Sequence, residues 1–312
     1  MKLDELLEKF LVNVDTDNPF QRRARLLQSM WRDVKGLPAG ERRARVPLGS
    51  RLPLALAKAE LANFLTANIR RAVRECVEAK AGGSGQLVDE DRLYANLLSS
   101  QPLCFNLFGE LQADLALASH VCSGLWPERV KAVTAVRFEH SPGRGDLAFT
   151  GDRSAFDVFI EHTLPHGDGR GFIGIEVKYH ENLKVAAAEQ RPRYDEVARA
   201  MGCFVEEKLP ALRVPPLEQI WRDHLLAGSM LATRDWSAGL YVFLYPEGNT
   251  HCARAVAAYR DCLTTSDTFE TLTLEQVIGA LAQHTNATWV SELRDRYLAW
   301  DKIDALLGDG RR

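Results

Sequence analysis

Apolar positions along the chain change period several times, and each change marks an element. Leu3, Leu6, Leu7, Phe10 and Leu11 recur at helical spacing and predict a short amphipathic helix over Asp4–Val12. Leu54, Leu61, Leu65, Ile69, Val73 and Val77 do the same over a longer run. They predict one helix from Pro53 to Lys80, with the proline in its first turn. The run Ala81-Gly82-Gly83-Ser84-Gly85 ends it and reads as a flexible connection. Asp89–Ser99 is the next helical stretch; Pro102 interrupts, and Leu103–Cys122 resumes in helical register. Leu217–Ala227, Leu274–Leu281 and Trp289–Leu307 are helical as well. In the last, Trp289, Leu293, Tyr297, Trp300, Ile303 and Leu307 form a stripe read as core packing.

Between these stretches the period drops to two. Val130–Phe138 predicts a strand, followed by the turn-prone Ser141-Pro142-Gly143-Arg144-Gly145. In Phe156–His162 the apolar Phe156, Val158 and Ile160 alternate with Asp157, Phe159 and Glu161. In Phe172–His180 Ile173, Ile175, Val177 and Tyr179 alternate with Phe172, Gly174, Glu176 and Lys178. Pro165, Gly167, Gly169 and Gly171 suit a connection, so the two runs predict a hairpin. Gly239–Tyr245 is apolar on both faces, as a buried central strand would be.

The hairpin carries the chemistry. Side chains alternate across a strand, so Glu176 and Lys178 leave the same face about 7 Å apart, and Asp157 is opposite in parity to its strand's aliphatic set. One face can then present two carboxylates and an ammonium beside an aliphatic floor. That set suits a metal-dependent phosphodiesterase: Mg²⁺ prefers oxygen ligands and is often held by one or two carboxylates plus water and phosphate. Such an ion stabilises charge on phosphorus and lowers the pKa of an attacking water. An isolated Glu–Lys pair on a solvated strand would look the same. The aspartate on the neighbouring strand and the apolar flanks, where unpaired charge is costly, favour a site.

These residues resemble the PD-(D/E)XK nuclease superfamily. Asp157 matches the aspartate of the first half-motif and Glu176-Val177-Lys178 the E-x-K half, although Phe156 stands where the pattern has proline. The runs Leu97–Leu111, DRSAFDV and IEVKYHEN are similar to a bacterial branch of restriction-endonuclease-like proteins, over roughly Asp91 to Tyr245. The resemblance implies an α/β restriction-endonuclease-like core of helix, three strands, helix and strand, a mixed central sheet flanked by helices, with added N- and C-terminal helices. It divides the chain into a helical N-terminal region at 1–85 and a nuclease-like domain at 86–312. It implies Mg²⁺ or Mn²⁺ held by Asp157, Glu176 and the Val177 carbonyl, with Lys178 positioning water and Glu110 completing the site. Gln190 and Tyr194 resemble the added Q-x-x-x-Y motif of RecB-like nucleases, in a helix that Pro192 would start near Arg191. The partner implied is nucleic acid, DNA before RNA, and a homodimer is compatible. A binding protein of the same fold without cleavage, and a helical protein-interaction factor, are the competing readings.

Composition narrows this only a little. The chain has 312 residues, 46% hydrophobic and 26% charged, enough for a sizeable core. Its formal charge of −3 gives no global attraction to a polyanion. Phe20–Arg51, however, holds nine basic residues against Asp33 and Glu41, a surplus of seven. Arg22, Arg23 and Arg25 there, and Arg144 and Arg153 near the hairpin, are candidate phosphate contacts. The six cysteines lack metal or disulfide-framework spacing and read as core residues of a reducing compartment. The start MKLDELLEKFLV lacks a signal-peptide core and no run reaches membrane-spanning length, so a cytoplasmic protein is expected. No P-loop, dinucleotide fingerprint, G-x-S-x-G or H-E-x-x-H is present.

Overall fold

The computed structural model describes residues 2–42, 46–81, 88–184 and 189–308. Two short helices and two strand pieces precede the core: α1 (Leu3–Lys9), α2 (Pro19–Val34), β1 (Gly40–Arg42) and β2 (Val46–Leu48). Asn18 starts α2 by accepting from the Gln21 amide at 2.9 Å while the Gln21 side chain returns a bond to Asn18, a reciprocal cap. The expected helix from Pro53 to Lys80 is two, α3 (Leu54–Glu60) and α4 (Ala67–Ala81). Leu61 turns left-handed (φ 49) and Asn63 is fully buried, its amide bonded to the Leu93 and Tyr94 carbonyls. Thr66 then restarts the helix by accepting from the Ile69 amide. Apolar spacing continued through the break because Leu61 and Phe64 still reach the core.

Pro102 also behaves differently from the expectation. It lies in the first turn of α5 (Ser100–Ala113), behind a Ser99 cap, where a missing N–H is harmless. The real break is Asp114, which caps α6 (Leu115–Leu125). The predicted helix at Asp89–Ser99 is only a π turn at Asp91–Ala95.

The sheet follows. Strands β3 (Ala132–His140), β4 (Phe156–Thr163) and β5 (Arg170–Val177) form an antiparallel meander. The crossover α7 (Pro192–Met201), α8 (Leu209–Leu212) and α9 (Glu218–Ala232) leads to β6 (Ala238–Tyr245), parallel to β5. After α10 (Thr250–Arg260) comes β7 (Phe269–Thr273), parallel to β6, which the sequence patterning above did not identify. The order β3-β4-β5-β6-β7 makes a five-stranded mixed sheet flanked by helices. It has the expected succession of helix, three strands, helix and strand. Helices α11 (Leu274–His284), α12 (Thr288–Tyr297) and α13 (Trp300–Leu307) close the chain. The last two replace one predicted helix and retain its buried stripe of Trp289, Leu293, Tyr297 and Ile303.

Each sheet face feeds its own core. Val158, Ile160, Ile173, Ile175, Val177, Val242 and Leu244 pack with residues of α4, α5, α6, α11 and α12. Phe156, Phe159, Phe172, Tyr241 and Phe243 pack with residues of α7, α9 and α10. The division proposed near residue 85 falls outside the described residues. The first core contains side chains from both sides of it, Trp31 and Phe64 beside Leu107 and Leu293.

Arg296 on α12 knots the two ends of the chain together. Its fully buried guanidinium donates to Gln28 Oε1 at 3.0 Å, to the Asn63 carbonyl at 2.8 Å and to the Asn63 side chain. Its carbon lies 3.9 Å from the Trp31 ring centre and 4.8 Å from that of Tyr297. Gln28 in turn donates to the Arg296 carbonyl and to the hydroxyl of Tyr179, the residue after Lys178.

His224 on α9 gives the second core a pH dependence. It is fully buried, 2.8 Å from both the Tyr259 hydroxyl and the Thr268 hydroxyl, and burial pulls its pKa down to about 3. Burial and Arg137 likewise lower His140 to about 4. In the unfolded chain both titrate near 6.5, so that state takes up protons first as pH falls, and these two histidines withdraw stability from about pH 6.5 downward. Urea unfolding from pH 7 to pH 4 measures the slope of stability against pH. His224→Gln, weaker at pH 7, should flatten it by up to about 1.4 kcal/mol per pH unit. An unchanged slope would remove His224 as a source.

Candidate metal and nuclease site

The register of the meander lines up acids across three strands. Phe138 pairs with Val158 and His140 with Phe156, so Glu139 lies opposite Asp157. Val158 pairs with Ile175, which carries the same row on to Glu176. Phe156 swings its ring over Gly174 into the second core, against Phe159, Phe172 and Tyr241. The residue standing at the motif's proline position is thus an anchor for the strand start. Asp157, next in sequence, turns its carboxylate to the edge and accepts the Val177 amide at 2.7 Å. A side chain here takes the place of a ladder carbonyl and fixes Asp157 beside the E-x-K run.

Glu176 and Lys178 leave β5 on the face of Phe172 and the second core, as alternation requires, 5% and 6% exposed. Lys178 Nζ donates to Glu176 Oε1 at 2.5 Å, and Gln219 on α9 donates to the same oxygen at 2.6 Å. One turn further along α9, Asp223 is buried and its Oδ2 has no hydrogen-bond partner. A buried acid with an idle oxygen is where an ion or water is wanted.

The electrostatics follow from crowding. Burial, then Glu176 and Glu139, push the Asp157 carboxyl well above the usual range, against Lys178 and the Val177 amide. Asp223 is raised in the same way, by burial and then Glu176. Burial alone would lower Lys178, but Glu176, Glu181 and Asp157 outweigh it and hold the ammonium above its ordinary value. Lys178 therefore stands as a cation among the acids. A supporting network stands behind. Asp152 accepts from Thr150, Ser154, Tyr194 and Arg222, and these bonds outweigh burial to hold it below the usual carboxylate range. This ties α7 and α9 to the loop that leads into Asp157.

Other predicted residues lie elsewhere. Glu110 on α5 accepts from Thr66 and, at 2.9 Å, from Asn68, so its carboxylate serves the start of α4. Gln190 sits at the mouth of α7, which does begin at Pro192, and donates to the Arg213 carbonyl and to Glu218. Tyr194 is buried on Trp221 and donates to Asp152 at 2.6 Å. Arg22, Arg23 and Arg25 are engaged within the chain. Arg25 is paired with Asp17 at 2.5 Å and Ser50, Arg23 with Asp304 at 2.7 Å, and Arg22 with the Asp17 carbonyl. Arg43 and Arg45 are outside the described residues. Arg153 is exposed, and one buried nitrogen of Arg144 lacks a partner. Sequence reading missed Glu139, Gln219 and Asp223. The signal for the last two was a polar pair at i, i+4 breaking into the apolar Ile220, Trp221 and Leu225.

A family model of the PD-(D/E)XK nuclease superfamily matches residues 15–299. The chain belongs to that superfamily. The five-stranded mixed sheet with its flanking helices is accordingly a restriction-endonuclease-like fold. No curated protein and no solved structure matches the chain significantly. Superfamily membership points to nuclease-type chemistry on nucleic acid and to a divalent metal ion. Among the described residues no helix is long and apolar enough to cross a membrane. All six cysteines are buried and unpaired.

The donor set of this nuclease-superfamily site fits a hard cation. Asp157, Glu176 and the Val177 carbonyl are all oxygen donors, and acids outnumber the single ammonium that faces them. Among the described residues no group of three or more His, Cys, Asp or Glu side chains is placed to hold a metal ion, so the donor set offered here is two carboxylates and a carbonyl. Gly174 maintains the geometry. A Cβ there would fall 2.5 Å from two atoms of the Phe156 ring. Gly174→Val is expected to lower stability by about 1–3 kcal/mol and to displace Asp157 with Phe156. A thermal melt and a cleavage assay on one preparation, both unaltered, would refute that linkage.

Proposed function

We propose that the chain is a divalent-metal-dependent nuclease acting on DNA. The observation that carries this reading is the convergence of Asp157, Glu176 and Lys178 at one end of the hairpin, two carboxylates and a buried ammonium on adjacent strands. Asp157 and Glu176 would hold Mg²⁺ or Mn²⁺ with the Val177 carbonyl. When bound, the ion supplies charge stabilisation at phosphorus and a more acidic water. Lys178, anchored on Glu176, orients that water and offsets phosphate charge. Gln219 keeps the Glu176 carboxylate from rotating, and the Asp157 bond to Val177 fixes the spacing of the pair. Arg144 and Arg153, in the loop before β4, would lie against the backbone of the strand being cut.

The test is a cleavage assay on plasmid, linear duplex, single-stranded DNA and RNA. Mg²⁺ or Mn²⁺ should support cleavage of DNA and EDTA should stop it. Ca²⁺, with its looser coordination, should support little turnover. Full activity in excess chelator, or no cleavage of any substrate, would overturn the proposal.

A further inference from the structure

Beside the loop that leaves Lys178 lies a cleft of about 360 Å³ between that loop and the first turns of α10, walled by Leu183 and Pro215. Lys184, His251 and Arg254 line it. Lys184 and Arg254 are exposed, and among the described residues neither forms an ion pair. Arg254 instead faces His251 Nδ1 at 3.4 Å. Among the described residues the lining of the cleft therefore gathers three basic side chains and no acid, although the chain is acidic overall. Burial, then Arg254 and Lys184, disfavours a proton on His251, as expected where positive potential is unrelieved.

The cleft is joined to the catalytic loop. Asn249, which caps α10 by accepting from the His251 and Cys252 amides, donates to the Tyr179 carbonyl at 3.1 Å and the Glu181 carbonyl at 3.0 Å. Lys178 and Lys184 are six residues apart, a span of at most about 20 Å. With a rise of about 3.4 Å per nucleotide, this cleft is within reach of a strand lying in the carboxylate site at about six nucleotides.

We infer that Lys184, His251 and Arg254 form a phosphate subsite that takes the backbone of the substrate strand a few nucleotides from the scissile bond. The inference rests on the nuclease reading. Arginine and lysine suit phosphate oxygens, contacts of this kind set register without reading sequence, and the cleft is too small to seat a folded partner. It also supplies what α2 does not, since Arg22, Arg23 and Arg25 are held by partners within the chain.

The test measures binding in EDTA, where metal-dependent cleavage is idle, using a fluorescent 20-nucleotide single strand and its duplex over a salt series. Lys184→Gln/Arg254→Gln should weaken binding of both. It should flatten the plot of log affinity against log salt by about 1.4 for the single strand and about 1.8 for the duplex. Arg254→Lys alone, which keeps the charge, should retain the wild-type slope. The unfolding transition of the double variant should match wild type, because both side chains are exposed. Superimposable slopes, or no oligonucleotide binding by wild type, would overturn the inference. Displacement of the oligonucleotide by equimolar inorganic phosphate would also overturn it, by showing a pocket for free anions. The two readings fail separately. A wild-type chain that cuts nothing in Mg²⁺ yet shows the slope change would sink the nuclease reading, and with it the placing of the cleft beside a scissile bond, leaving Lys184 and Arg254 as backbone-phosphate contacts only. Cleavage with unchanged slopes would uphold the nuclease reading and sink the subsite.

Discussion

Glu176→Ala should lose about 10²–10⁴-fold of Mg²⁺-dependent cleavage at saturating duplex while folding cooperatively. The loss is large because, on the proposed reading, the glutamate does two things at once: it would be one of two carboxylates offered to the ion, and it anchors Lys178. The fold should survive, because removing Glu176 also relieves the like charge that crowds Asp157 and Asp223. Lys178 would still face Asp157 and Glu181. Lys178→Ala should lose activity on the same scale but also lower stability in EDTA, since it leaves buried carboxylates with no ammonium. Single-turnover cleavage of a labelled duplex, paired with urea unfolding in EDTA, separates the two. A Glu176→Ala rate within tenfold of wild type would remove Glu176 from the mechanism.

The second large effect is on stability. Arg296→Ala should destabilise the chain by about 3–5 kcal/mol, far more than a surface arginine. Truncation strands Gln28 Oε1 and Asn63 Oδ1 in the interior, leaves the Asn63 carbonyl with Asn106 alone, and takes the cation from the rings of Trp31 and Tyr297. Denaturant unfolding measures it, and a double-mutant cycle with Gln28→Ala should return a coupling of about 0.5–3 kcal/mol. A loss under 1 kcal/mol would mean that the pocket collapses onto the gap.

What could be read in advance divides along a physical line. The hairpin, the shared face of Glu176 and Lys178, and the start of α7 at Pro192 depend on local periodicity and on proline's missing N–H, and both are written in adjacent residues. The break at Asn63 was hidden because its cause is a set of carbonyls at 93 and 94, far along the chain. Glu110 illustrates the missing helix phase. An acid on a helix before the first core strand can face the sheet or a neighbouring helix, and here Thr66 and Asn68 claim it. The basic surplus of Phe20–Arg51 is partly offset in the fold for a related reason. Counting charge by segment cannot see that Asp304 and Glu292 return from the far end to neutralise Arg23 and Lys35. Glu139 and Asp223 reach the site only through register and packing, which no spacing rule supplies.

The clasp of Arg296 on Gln28 also sets an order of events during synthesis. The bond joins positions 268 residues apart, so the loop it closes is nearly the whole chain. Non-local contacts of this kind form late, because chain entropy must be lost before they can stabilise anything. The hairpin bearing Glu176 and Lys178 leaves the ribosome well before α12, and its antiparallel pairing can form at once. Tyr179, the next residue, gains its bond to the Tyr297 carbonyl only after the C-terminal helices arrive. A nascent chain therefore carries the acidic residues of the site long before it can hold them rigid, and the last helices act as the latch.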